Sequence, residues 1–105
     1  MEIKQIIKEF KQQIAELYGQ RLKKVVLYGS YARGQANDEH SDIDLAVVLA
    51  GTVEPCKEID RVIDIITDMN LDYDILLSVY PVSENDYHSV NSPLLLNLRR
   101  EGIPV

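Results

Sequence analysis

Apolar residues recur at Ile3, Ile6, Ile7, Phe10, Ile14, Leu17 and Tyr18. That three-and-four spacing puts one stripe of a helix against a core, so residues 2–18 are predicted as an amphipathic helix that Gly19 ends. The period then changes. Residues 24–28 (KVVLY) are a short apolar run rich in β-branched side chains and predict a strand. Gly29-Ser30 interrupts it, residues 31–33 fit one helical turn before Gly34, and residues 35–41 (QANDEHS) are polar and turn-like. Residues 42–49 (DIDLAVVL) predict a second strand. It is nearly all apolar after its second aspartate, as in a strand covered on both faces. Residues 54–70 predict a second long helix, with Pro55 in its first turn and a stripe of Ile59, Val62, Ile63, Ile66 and Met69. Residues 73–79 (YDILLSV) predict a third strand. Ser83 with Asp86 resembles a capping box that opens a short helix. Ser92-Pro93 caps a final helix that Gly102 stops, and Ile103, Pro104 and Val105 form an apolar tail with no assigned role.

The order helix, strand, turn, strand, helix, strand, helix, helix is an α/β layout with a small sheet and helices packed on it. The helix between the second and third strands is long enough to be a crossover, so those strands can run parallel. A length of 105 residues predicts one domain, residues 1–105. Such a domain buries roughly 60–70% of the surface of its extended chain, and 46% apolar residues suffice for a core. No apolar run approaches the roughly 20 residues of a membrane span. The charged N-terminus is not a secretory signal, and the single cysteine, Cys56, has no internal partner; a reducing cytoplasm is the expected location. The net charge of −6, with basic residues scattered apart from Lys23/Lys24 and Arg99/Arg100, argues against nucleic acid as the main partner. A small anionic substrate would need local help from metal ions or helix ends.

Asp42 and Asp44 stand two apart at the start of a strand, so both carboxylates point to one face. Asp74 falls near the start of the third predicted strand. If strands two and three are parallel, it can join the pair in one cluster. Two unit charges about 4 Å apart cost about 4 kcal/mol at an effective dielectric near 20. Hard divalent cations offset such repulsion, and Mg²⁺ keeps waters and takes substrate phosphates as its remaining ligands. Two such ions can stabilise both the attacking and the leaving oxygen of an in-line phosphoryl displacement. Gly29-Ser30 adds a bend where backbone can approach a phosphate, with the Ser30 hydroxyl as a donor. A lone D-x-D or Gly-Ser is weak. The ordered set is stronger: an apolar strand, Gly-Ser, eleven residues ending in serine, Asp-Ile-Asp in an apolar strand, then a later Asp.

The segment LYGSYARGQANDEHSDIDLAVVL resembles the signature of the DNA polymerase β-like nucleotidyltransferases, above all their minimal MNT-type members, and SPLLLNLRREGIPV is similar to the end of these small proteins. The resemblance implies a palm-like fold, a small mixed sheet flanked by helices. It also implies transfer of a nucleoside monophosphate from a nucleoside triphosphate, ATP foremost, with two Mg²⁺ ions. It gives Gly29 and Ser30 to the triphosphate, and Asp42 and Asp44 to metal. Asp74 becomes the third carboxylate, which binds metal and accepts the acceptor's proton. Arg33 matches an arginine that contacts phosphate or forms a local ion pair. MNT-type proteins are often encoded beside a HEPN-domain partner as toxin–antitoxin pairs, so a HEPN protein is the expected partner, and a hydroxyl on it the expected acceptor. Larger relatives carry a second domain that helps hold base and acceptor, and this sequence reads as one domain.

Each assignment has a plainer competitor. Asp42 and Asp44 could merely punctuate a strand start. Asp72 lies on the same predicted face as Asp74, which is favoured because it sits inside the apolar run. Asp60, Asp64 and Asp68 read as solvated helix positions. His40 could reach the site from the loop but reads as solvated; His88 and Cys56 read as structural. Of the six tyrosines, Tyr28 and Tyr31 flank Gly-Ser and could line a base pocket. Two rival functions stand beside the enzyme acting on a partner: a binding module that masks a toxin by contact, and a transferase acting on a small molecule. The base, the acceptor and any homo-oligomer are left open.

Overall fold

The computed structural model describes residues 3–34 and 42–105. Helix α1 (Ile3–Tyr18) forms on the predicted stripe, burying Ile6, Ile7, Phe10 and Ile14, while Leu17 stays 44% exposed. A single 3-10 turn, Gly19–Arg21, leads into strand β1 (Leu22–Tyr28). There follow α2 (Gly29–Ala32), β2 (Ile43–Leu49), α3 (Pro55–Tyr73), β3 (Leu77–Ser83), α4 (Glu84–Ser89), α5 (Pro93–Glu101) and β4 (Ile103–Pro104).

The strands form one mixed sheet in the order β3-β2-β1-β4. β2 runs antiparallel to β1 and parallel to β3, so the crossover through α3 has the predicted consequence. Side chains alternate between two cores. Val25, Leu27, Ile43, Leu45, Val47, Leu49 and Leu77 face α1 and α3. Val26, Ala46, Val48 and Val82 face Tyr87 of α4 and Leu95 and Leu98 of α5. Burying one Val, Leu or Ile side chain contributes about 1.5–3 kcal/mol, so β2, buried from Leu45 to Leu49, anchors both layers. Among the described residues no helix is long and apolar enough to cross a membrane.

Two elements differ from expectation. The helix predicted over residues 54–70 continues to Tyr73, and the strand predicted at residues 73–79 lies at Leu77–Ser83. Asn70 sets this boundary. Its carbonyl accepts from the Asp74 and Ile75 N–H groups, and its side-chain oxygen accepts from the Leu77 N–H at 2.9 Å. Asp74 takes the left-handed cap conformation, φ 52, which Asp tolerates better than most side chains. The strand runs on through Pro81 because β3 is an edge strand, where a missing N–H costs no ladder bond. The apolar tail is also a strand: Leu27 pairs with Ile103 and Val26 with Pro104. Both predicted serine caps form, Ser83 accepting from the Asp86 N–H at 3.1 Å and Ser92 from the Leu95 N–H at 3.3 Å.

At the N-terminal end of α3, Glu58 is buried, 4% exposed. The Tyr18 hydroxyl donates to it at 2.9 Å, Arg21 at 3.4 Å, and Arg61 pairs with it at 3.5 Å. Arg21 also donates to the carbonyls of Ala50 and Thr52. This clasp ties α1 and the turn after β2 to α3.

Candidate active site

Asp44 lies on β2 with its side chain on the α4/α5 face of the sheet, since Ala46 and Val48 of the same parity belong to that core. It is half-buried, and Asp42, just before the strand, is exposed. Its register partners are Tyr28 on β1 and Ser78 on β3. Where β1 ends, Gly29 adopts φ +71 and opens the single turn of α2. A Cβ added at Gly29 would lie 2.2 Å from Asp44 Oδ2. Only a residue without a side chain lets the bend sit against that carboxylate. The Gly-Ser bend and the second aspartate thus lie against each other.

The electrostatics carry strain. Burial, then the neighbouring Asp42 charge, raises the Asp44 carboxyl above its usual range, while the Ser78 hydroxyl and the Arg33 charge pull it back down. Burial, with the Asp44 charge and Tyr80 behind it, pushes the Tyr28 hydroxyl up to about 12. Tyr28 therefore faces Asp44 as a neutral phenol. Arg33 is exposed, 3.7 Å from Glu101 at the end of α5, and its field reaches Asp44.

Asp74 requires a correction. It is an exposed helix cap, three residues before β3 begins, and not a strand residue beside Asp44. Among the described residues no group of three or more His, Cys, Asp or Glu side chains is placed to hold one metal ion, so Asp42, Asp44 and Asp74 do not form the expected triad. Asp72, its competitor, lies within α3. His40 and the rest of residues 35–41 fall outside the described residues. The side chain that does stand beside Asp44 is Ser78, which the sequence reading passed over. Its signal was a lone polar residue within the apolar stretch 75–79.

Two carboxylates still suit Mg²⁺, which binds through one or two carboxylates and completes its shell with phosphates and waters. The approach of Gly29 to Asp44 leaves no room for a methyl group. Burial first and the Asp42 charge second raise the Asp44 carboxyl, and a cation would relieve both.

Comparison with known proteins shows the family. The nucleotidyltransferase domain family matches residues 7–92. A protein of Methanocaldococcus jannaschii that bears the name protein adenylyltransferase is 45% identical over 78 residues, spanning 74% of this chain and 77% of its own. A second protein of that organism, with the same name, is 37% identical over 97 residues, or 91% and 90% of the two chains. The crystal structure of a toxin–antitoxin complex with AMP-PNP superposes with a TM-score of 0.63 over 92% of this chain and 70% of that one; at 18% identity the likeness is one of fold. With the family match running from α1 past β3, through the bend and both aspartates, the chain belongs to the nucleotidyltransferase domain family and is an enzyme of nucleotidyl transfer.

Proposed function

We propose that the chain transfers AMP from ATP to a hydroxyl on a partner protein, with Asp42 and Asp44 holding Mg²⁺ and Gly29-Ser30 receiving the triphosphate. The observation that carries this reading is the contact of Gly29 with the Asp44 carboxylate, which joins the phosphate bend to the cation-binding pair. The relatives' name and the AMP-PNP in the toxin–antitoxin structure support adenylyl transfer from ATP. A HEPN-domain toxin is the partner that the MNT-type resemblance favours, and the toxin–antitoxin neighbour supports a protein acceptor.

Asp42 and Asp44 would hold Mg²⁺, which would supply positive charge to offset that of the phosphates. The chain's own contribution is positioning. Gly29 brings backbone to the phosphates, Ser30 offers a hydroxyl donor, and Arg33 exchanges Glu101 for phosphate oxygen. The acceptor oxygen attacks the α-phosphorus, the bond to the β-phosphate oxygen breaks, and pyrophosphate leaves. The acceptor's proton passes to solvent at the open side of the site, where Asp42 and Ser78 are exposed. Asp74 is not used as the base in this scheme, because it precedes β3, which begins at Leu77.

The third carboxylate missing from the described residues favours one second reading, an antitoxin that masks its partner by contact alone. Incubation with α-labelled ATP, Mg²⁺ and the partner toxin separates the two. Label that moves to the toxin with the wild type, and not with Asp42→Asn/Asp44→Asn, supports transfer. Toxin inhibition that survives in the double variant, with no label from either protein, supports masking and refutes the enzyme.

A further inference from the structure

A cation held by Asp42 and Asp44 would meet three surroundings: the Gly29-Ser30 bend, β2 itself, and β3. On β3 the register partner of Asp44 is Ser78. Partners on adjacent parallel strands share a face at a strand spacing of about 4.8 Å. The next side chains along that face, Tyr80 and Val82, belong to the second core, so Ser78 is the β3 residue at the level of the carboxylate. It is exposed, while Leu77 beside it is buried toward α1 and α3. Asp74, four residues earlier, is the C-cap residue of α3 and lies outside the strand.

We propose that Ser78 is a positioning residue for the cation site: its hydroxyl holds the Asp44 carboxylate in the orientation that binds the ion, from the strand position where a third carboxylate would otherwise reach it. The inference rests on the reading of Asp42 and Asp44 as cation ligands. Its physical basis is that Asp44 is half-buried and lies against Gly29, so its rotation is restricted on one side by backbone and on the other by β3. A hydroxyl at the register position opposite Asp44 can donate to the carboxylate and restrain it. It also adds no negative charge, so two carboxylates need not become three before the nucleotide arrives.

The test uses the full chain and Mn²⁺, alone and with a non-hydrolysable ATP analogue, read by calorimetry and by the electron paramagnetic resonance of the bound ion. Ser78→Ala is expected to weaken Mn²⁺ binding roughly tenfold, the usual scale for partners that orient a ligand. Ser78→Thr, which keeps the hydroxyl, restores wild-type affinity. Ser78→Asp places a carboxylate next to Asp44, tightens Mn²⁺ roughly tenfold, and makes the thermal midpoint depend more steeply on Mn²⁺ than in the wild type. Asp44→Asn serves as reference. If Ser78→Ala and Ser78→Asp bind Mn²⁺ as the wild type does while Asp44→Asn does not bind it, Ser78 has no part in the site and the cation reading stands. If Asp44→Asn also binds Mn²⁺ normally, the cation reading falls and the role of Ser78 with it.

Discussion

Replacing Gly29 by alanine adds one methyl group and loads two separable costs onto the molecule. The backbone cost comes from φ +71, a left-handed conformation that disfavours a Cβ by roughly 1–2 kcal/mol. The second cost is specific to the site. The new Cβ would lie 2.2 Å from Asp44 Oδ2 and 3.1 Å from its Cγ, so the carboxylate must retreat by about 1 Å. A misplacement of that size at a reacting centre costs on the order of 100-fold in rate. Gly19→Ala is the matched control: Gly19 has φ +57, and a Cβ there meets nothing within 4 Å. Urea unfolding should show a similar backbone loss for both variants, with any excess for Gly29→Ala measuring the displaced carboxylate. Label transfer from ATP should fall about 100-fold for Gly29→Ala and stay near wild type for Gly19→Ala. Transfer by Gly29→Ala within a few-fold of the control would refute the claim that bend and carboxylate form one site.

Asp44→Asn should separate stability from function. The folded state raises the Asp44 carboxyl above its ordinary value of 3.8, so its favourable contribution is complete below that pH and is lost as pH rises through the higher folded value. In metal-free buffer at neutral pH the variant should therefore melt higher than the wild type; a lower midpoint would contradict the electrostatic account. Tyr18 and Tyr28 are both raised from 10.0 to about 12, Tyr18 by burial and its bond to Glu58, Tyr28 by burial and the Asp44 charge. Their contribution is complete below pH 10 and disappears as pH rises through about 12, so tyrosinate absorbance and unfolding should move together in that window. Tyr18→Phe should flatten that alkaline slope and cost about 1 kcal/mol at neutral pH, from the lost bond to a buried carboxylate. Gly102→Ala would drive a Cβ to 2.3 Å from the Leu98 carbonyl and 2.5 Å from Val26 Cγ1, so chemical denaturation should register a loss of about 1–3 kcal/mol.

The elements legible in the sequence were those whose local pattern agrees with their tertiary surroundings. α1 shows its stripe, β2 its unbroken apolar run, and α4 and α5 their serine caps, because in each the same residues set the local conformation and meet the core. The Gly29–Asp44 pairing was legible for the same reason: a strand end, a bend and an alternating pair leave few ways to join. β3 was misplaced by four residues because YDILLSV suits both a last helical turn and a strand. What decides between them is Asn70, whose side chain captures the Leu77 N–H, and no periodicity records that bond. The shift removed Asp74 from the sheet and put Ser78 beside Asp44. β4 was missed because two residues ending in proline have no alternation to detect; it exists because β1 has an open edge to pair.

The strand that bears Asp44 has a neighbour on each side and lies between two apolar layers. Its amides are therefore the kind that exchange with water only when the whole domain opens. Loss of the reactive geometry and loss of the fold should be a single event on warming, so the fraction of molecules able to turn over nucleotide would count the fraction still native.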